Sequence, residues 1–343
     1  MTVDEIFNAI NGLNSTDKQA LIAKLAIPAL MQETTELKQT EERFIGGRVC
    51  LDCGSVHVVR NGHRPDGVQR YLCRDCGVSF VVATNSVVSG TTKDLSVWQT
   101  YIDCMLNGLS IRKTAEKCGI HRNTSFIWRH KILDSLQAVA KSVNLEGIVE
   151  ADETFFALSF KGNHKNSKSF TMPRKAHKRG GGVHTRGLSH EQVCVPCAIN
   201  RNGMSIAKPA ALGKVSISVL HSVYDDRIAE GKTVCTDKEK AYRRFSVENK
   251  LSLIQLENGK SSKGIYSIQH INSYHSKLKN FMKGFNGVST KYLPNYLIWH
   301  NVINHPRLTT QEKENALLSA VLTLQLSETN RELSDRPPIP FKI

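Results

Sequence analysis

Apolar and polar positions divide the chain into segments of different character. Between residues 147 and 305 short apolar runs alternate with stretches at helical spacing. The runs predict strands over 148–156, 192–200, 204–210, 233–236 and 251–256. The spacing predicts helices near 216–229, 238–247 and 271–285, an α/β layout. Upstream, Leu95, Trp98, Ile102 and Met105 form a helical stripe that stops at Asn107-Gly108. Ser110 is placed to cap a second helix centred on Ala115, and Gly119 turns the chain into a third that starts near His121. Residues 46–85 carry Val56, Val58, Val59 and Tyr71, short strands with turns expected at Asn61-Gly62 and Asp66-Gly67. Residues 2–45 read as a helical appendage: Ile6, Ile10 and Leu13 share a face, and Ser15 or Thr16 precedes Leu21, Leu25 and Ile27. Residues 306–343 form a C-terminal tail.

The cysteines change the picture of 46–85. Cys50-Leu-Asp-Cys53, nineteen intervening residues and Cys73-Arg-Asp-Cys76 have the two-knuckle spacing of a structural zinc site. Each knuckle aims two thiolates at one ion, and Gly54 and Gly77 relax the backbone after the second ligand. The segment reads as a zinc ribbon. Cys194 and Cys197 repeat the spacing inside an apolar strand with no second pair, and read as buried core thiols. Nine cysteines, an odd number with four at metal-ligand spacing, suit a reducing compartment.

Charge then names the kind of partner. The chain of 343 residues carries a net charge of +15 and a pI near 9.4, which points to a polyanion, nucleic acid before membrane. Residues 46–145 hold 13 basic against 7 acidic groups and 191–305 hold 16 against 8, whereas 1–45 hold 4 against 7. Arg48, Arg60, His63, Arg64, Arg70 and Arg74 surround the ribbon. Helix, turn and helix over 93–142 match a helix-turn-helix, whose third helix presents Arg122, Asn123, Thr124 and Ser125 to a major groove while Ile127, Ile132, Leu133 and Leu136 pack inward. The basic stretch 161–190, with Lys175, Lys178 and Arg179 beside a Gly180-Gly181-Gly182 hinge, is a solvated loop or a DNA clamp, and its place next to an acidic strand favours the clamp. No apolar run reaches the roughly 18 residues of a membrane span and no signal peptide pattern opens the chain, so the expected location is the cytoplasm, at the nucleoid.

The candidate chemistry lies in acids set into the α/β segment. Gly147-Ile-Val-Glu-Ala-Asp-Glu-Thr-Phe-Phe156 reads as a buried strand with carboxylates in its middle, and buried charges are normally paired or bound to a metal. Asp152 is its candidate catalytic acid. Thr233-Val-Cys-Thr-Asp237 is a short strand ending on a second acid, and adjacent strands can bring Asp152 and Asp237 together, as two-metal phosphoryl transfer requires. On the helix after Gln269, Asn272, His275 and Lys279 share a face at i, i+3 and i+7 beside the apolar face of Ile271, Tyr274, Leu278, Phe281 and Phe285.

Taken together, the ribbon, the helix-turn-helix, Val149-Glu-Ala-Asp-Glu-Thr154, Thr236-Asp237, His270-Ile-Asn-Ser-Tyr-His-Ser-Lys-Leu-Lys279 and Gly287-Val-Ser-Thr-Lys-Tyr-Leu-Pro-Asn-Tyr-Leu-Ile-Trp299 resemble a bacterial insertion-sequence transposase of the type named IS-fifteen-ninety-five, or ISXO-two-like. The resemblance runs from about residue 46 to 305. It implies a ribonuclease-H-like catalytic domain over 147–305 that uses Mg²⁺ or Mn²⁺ to cut and rejoin double-stranded DNA at terminal inverted repeats and at a target. It makes Asp152 and Asp237 the first two ligands, sets Asn272 where many relatives have a glutamate, and makes Lys279 a phosphate contact, with His275 in reserve for proton transfer. It also implies an oligomer in the DNA complex. The alternative is a domesticated DNA-binding regulator whose asparagine-bearing site is inert.

Overall fold

The computed structural model describes residues 43–44, 46–162, 171, 187–257, 262–324 and 329–341. The helices expected over 2–45 and most of the basic stretch, with Lys175, Lys178 and Arg179, lie outside the described residues. The chain divides into two units, Met1–Asp103 with Ala316–Gln325 and Cys104–Asn315 with Leu326–Ile343.

In the first unit three short strands, β1 (Val58–His63), β2 (Gln69–Cys73) and β3 (Ser79–Val81), pair antiparallel in that order. Their core is small: Cys50, Val58, Tyr71, Cys73, Phe80 and Val82. The Asp66-Gly67 turn forms, with the Gly67 N–H donating to Arg64 O at 2.9 Å. Asn61-Gly62, expected as a turn, instead lies inside β1, where the register shifts between Arg60 and His63. Gly62 at φ 66° supplies the backbone that such a bulge needs. A helix, α1 (Leu95–Leu106), buries Trp98, Tyr101, Ile102 and Met105 and spans the division between the units.

The second unit is a mixed α/β fold. Its sheet contains β4 (Ile148–Ala157), β5 (Gln192–Asn200), β6 (Ser205–Ala207), β7 (Ala211–Leu212), β8 (Thr233–Thr236) and β9 (Ser252–Gln255), in the order β6-β5-β4-β8-β9 with β7 also against β5. β4, β5 and β6 are antiparallel neighbours, whereas β8 and β9 run parallel to β4. Side chains alternate across a strand. Val149 and Ala151 therefore join Leu220, Val223, Tyr242 and Phe245 in one core, with the helices Ile217–Tyr224 and Ala241–Glu248 on that face. Val193, Val195 and Cys197 join Ile271, Leu278, Leu293 and Leu297 in a second core beneath the helices Gln269–Lys283 and Leu293–Ile303. Cys194 belongs to the first core and Cys197 to the second. Three residues apart on a strand, they point to opposite faces and share no ion.

Ahead of the sheet, α2 (Ile111–Lys117) starts at Ser110, whose hydroxyl accepts from the Lys113 N–H at 3.5 Å. The next helix, α3 (Arg122–Ser135), is capped by His121, whose Nδ1 accepts from the Asn123 N–H at 3.2 Å. α3 is an embedded helix. Trp128, Arg129, His130, Ile132 and Leu133 are all buried. The Arg129 guanidinium lies 4.4 Å from the Trp299 ring centroid, and His130 stacks on Tyr292 at 4.2 Å. Ser125, expected to face a groove, is buried too, and its hydroxyl donates to Ile111 O at 3.1 Å. A small hydroxyl at the crossing of two helices is worth more as a backbone partner there than in water.

Candidate active site and metal centre

The parallel register of β4 against β8 pairs Ile148 with Thr233, Val149 with Val234 and Glu150 with Cys235. Continuing that register by two residues sets Asp152 beside Asp237, on strands about 4.8 Å apart. Asp152 is only partly exposed, and its Oδ1 accepts from the Glu153 N–H at 2.8 Å. Burial pushes its carboxyl up to about 6, with the Asp237 charge adding to the rise and Lys279 opposing it. Asp237 is exposed at the end of β8 and accepts from the Glu239 N–H at 2.9 Å. Its backbone is held by Gln255, whose amide donates to Asp237 O and Glu239 O at 3.0 and 3.1 Å.

The helix Gln269–Lys283, hereafter α7, lies over these acids (Ile217–Tyr224 and Ala241–Glu248 are α5 and α6, the five-residue helix Gln137–Lys141 being α4). His275 Nδ1 approaches Asp152 Oδ2 at 3.7 Å. Burial and the charge of Lys279 bring the His275 ring down to about 4, so it stays neutral at physiological pH. Asn272 and Lys279 are exposed on the same side of the helix, one turn before and one turn after His275. The structure thus brings Asp152, Asp237, His275 and Lys279 to one place, with Asn272 on the adjoining turn.

Two further acids lie on β4, Glu150 on the face of Asp152 and Glu153 on the opposite face with Tyr242. Burial above all, with the charges of Asp152, Asp237 and Glu239 and against a hydrogen bond with Tyr242, pushes the Glu153 carboxyl up to about 8. Glu150 is fully buried, and its carboxylate accepts from Ser267, His270 and Ile271. The alternation Glu150, Asp152 on one face of the strand was the available signal.

The donor set suits a hard divalent cation: two carboxylates and an amide oxygen, with the Asp237 charge close enough to add to the rise of the Asp152 carboxyl. A cation between them relieves that repulsion. The second cluster is of the opposite chemical type. Cys50 and Cys76 Sγ are 3.6 Å apart, as are Cys53 and Cys73, and all four sulfurs lie within 4.8 Å of one another. Bonds of about 2.3 Å to a tetrahedral zinc put sulfurs roughly 3.8 Å apart, so the thiols fit that ion. Each knuckle closes with a backbone bond, Gly54 N–H to Cys50 O at 3.1 Å and Gly77 N–H to Cys73 O at 3.0 Å. The Cys76 backbone N–H, followed by that of Asp75, draws the Cys73 thiol down to about 6. Asp75 accepts from the Ser55 hydroxyl at 2.6 Å and lies 3.0 Å from His57, which ties the two knuckles together.

Of the expected DNA contacts, Arg122 and Asn123 are exposed in the first turn of α3 and Thr124 is half-buried. Arg122 and Asn123 open onto a cleft of about 840 Å³ whose lining also includes Arg112, Lys161 and Lys291. No helix among the described residues is long and apolar enough to cross a membrane.

Residues 144–298 match the family model of the ISXO2-like transposase domain. An uncharacterized protein in transposable element ISH50 of Halobacterium salinarum is 26% identical over 259 residues, 74% of this chain and 84% of that protein. Among solved structures, the simian T-cell lymphotropic virus intasome in complex with PP2A regulatory subunit B56 gamma aligns at 12% identity and a TM-score of 0.26, over 69% of this chain and 75% of that one. A pre-cleavage Mos1 transpososome aligns at 10% identity and a TM-score of 0.21, over 67% and 80%. At those scores neither likeness bears on the fold. The matched segment holds Asp152 on β4, Asp237 at the end of β8 and the helix α7, and over it the chain is similar to the ISXO2-like transposase domain.

Proposed function

We propose that the chain is a DNA transposase that binds the terminal inverted repeats of its own element and catalyses metal-dependent strand cleavage and strand transfer. In this reading the second unit is a ribonuclease-H-like domain, residues 46–85 are a zinc ribbon, and α2 with α3 forms a helix-turn-helix. The observation that carries it is the register that sets Asp152 beside Asp237 under α7, inside the segment that matches the family.

Bound Mg²⁺ or Mn²⁺ supplies a nucleophilic hydroxyl at neutral pH and neutralises charge at the phosphate. Asp152 and Asp237 hold the ions through carboxylate oxygens, and the Asn272 carbonyl oxygen adds a neutral donor. Lys279 meets a non-bridging phosphate oxygen as a point charge. Water attacks the phosphorus at the element end, the bond from phosphorus to the 3′ oxygen breaks, and a 3′-hydroxyl is freed. That hydroxyl then attacks a target phosphodiester, so one phosphodiester forms as another breaks. The neutral His275 ring stands beside Asp152 as an acceptor for the departing proton. Arg122, Asn123 and Thr124 contact one stretch of DNA, and Lys175, Lys178 and Arg179 clamp another. Two element ends must meet, so the active form is a homo-oligomer on DNA.

The test is a strand-transfer assay on the DNA that flanks the reading frame. With Mn²⁺ the parent nicks and joins its own terminal repeats, and Asp152→Ala binds the ends with the same Kd but joins nothing. A parent that binds the repeats and neither nicks nor joins them sinks the catalytic reading and leaves a DNA-binding regulator.

A further inference from the structure

We propose that Glu150 is the positioning residue of this site: its carboxylate anchors the start of α7 to β4 and so sets where Asn272, His275 and Lys279 stand against Asp152. The inference rests on the transposase reading and deepens it.

α7 begins without a cap of its own, since Ile268 in the N-cap position offers no side-chain acceptor. The first N–H groups of a helix need partners. Here they find one across the chain: Glu150 Oε2 accepts from the His270 N–H at 2.7 Å and the Ile271 N–H at 3.1 Å. Oε1 accepts from the Ser267 hydroxyl at 3.0 Å, lies 2.7 Å from His270 Nδ1 and pairs with Arg201 Nη1 at 3.3 Å. A negative charge at this end of a helix is also favoured by the helix dipole. Glu150 is fully buried, and among the described residues its partners besides Arg201 lie between residues 267 and 271.

The spacing shows what the anchor controls. From Glu150 to Asp152 the strand advances about 7 Å, at roughly 3.3 Å per residue. From Ile271 to His275 the helix advances about 6 Å, at roughly 1.5 Å per residue. Strand and helix therefore step together, and the second rung is the 3.7 Å approach of His275 to Asp152. The apolar contacts of Ile271 and Leu278 hold α7 on the sheet, but hydrophobic attraction has no direction. Hydrogen bonds do have one, and Glu150 provides the directional constraint at the residue next to Asn272. A slide of the helix by one residue would break this anchor before it exposed any apolar surface.

The experiment uses the full chain and two readouts, the Mn²⁺ dissociation constant by electron paramagnetic resonance of free Mn²⁺, and the cleavage rate on element-end DNA at saturating DNA. Asp152→Ala identifies which Mn²⁺ binding belongs to the site. Glu150→Gln keeps the size of the side chain but turns an amide toward groups that donate. We expect it to weaken Mn²⁺ binding and to lower kcat each by about 10–100-fold. The Kd for end DNA stays within about twofold, and added Mn²⁺ restores part of the rate. Parental Mn²⁺ affinity and kcat in Glu150→Gln, whatever its melting temperature, overturn the proposal. If that variant does not fold, Ser267→Ala decides by the same readouts, with a loss of about threefold to tenfold expected and none overturning it. A parent that binds Mn²⁺ at the site but cleaves nothing ends the transposase reading, while the Mn²⁺ affinity of Glu150→Gln still decides the role of the anchor. A parent with no Mn²⁺ site overturns both.

Discussion

The thiol cluster of the first unit and the carboxylate cluster of the second are both groups of like-charged ligands, yet they are built for opposite ends. The four cysteines close on themselves within 4.8 Å, beside a local cluster of six buried residues, two of them ligands. The acids stand on the two adjoining central strands of a sheet that has a packed core on each face, and Asp237 is exposed. A cluster this small leaves its ligands to supply part of its folding free energy, as structural zinc sites do. A large core is stable without its ligands and can hold acids in crowded, costly positions where a substrate can reach them.

The comparison breaks if the two clusters respond alike to loss of a ligand. The largest effect is expected on chemistry: Asp152→Ala lowers strand cleavage by at least about 10³-fold with zinc content and melting unchanged, read by cleavage rate, metal analysis and calorimetry. Cys73→Ser is expected to do the reverse at its own cluster. Bound zinc falls from about one per chain to none, and the first unit loses its melting transition while α/β circular dichroism persists. Asn272→Asp sharpens the contrast by adding a charge to the open site, and tightens Mn²⁺ binding by about tenfold in a calorimetric titration. An unchanged affinity would remove Asn272 from the ligand set.

The smallest effect tests whether the second unit has electrostatic ties unconnected with its acids. His221 on α5 lies 2.8 Å from both Asp225 and Glu248, and Arg244 pairs with Glu248 at 2.7 Å. Hydrogen bonds first to Glu248 and then to Asp225 raise the imidazole above its ordinary 6.5. The stabilisation is full below that unfolded value and is lost as pH rises through the raised folded value. His221→Gln should therefore cost most near pH 6, roughly 0.5 kcal/mol for so exposed a group, and nothing by pH 9, as read from melting temperatures across that range.

Part of this was legible in the residues alone. The four-cysteine spacing of Cys50, Cys53, Cys73 and Cys76 announced the thiol cluster, because metal ligands on tight turns are set by short-range geometry. The strand 192–200 and the strand 233–236 fall where the apolar runs placed them. Asp152 and Asp237 stood out because an acid in an apolar strand is rare. Local chemistry misled at Asn61-Gly62, where the same dipeptide serves a bulge within β1, and at Ser125, which a neighbouring helix covers.

Glu150 and Asp152 are two residues apart in one strand, and no pattern along the chain tells them apart. One meets the bare N–H groups of a helix that begins 119 residues later, and the other meets a second acid carried on a neighbouring parallel strand. Periodicity and ligand spacing are properties of a few consecutive residues, so the sequence by itself determined the elements, the cysteine cluster and the candidate acids. Which carboxylate meets the start of a helix and which meets a second acid was decided only by long-range pairing in the tertiary structure, since burial and partners come from residues distant in the chain.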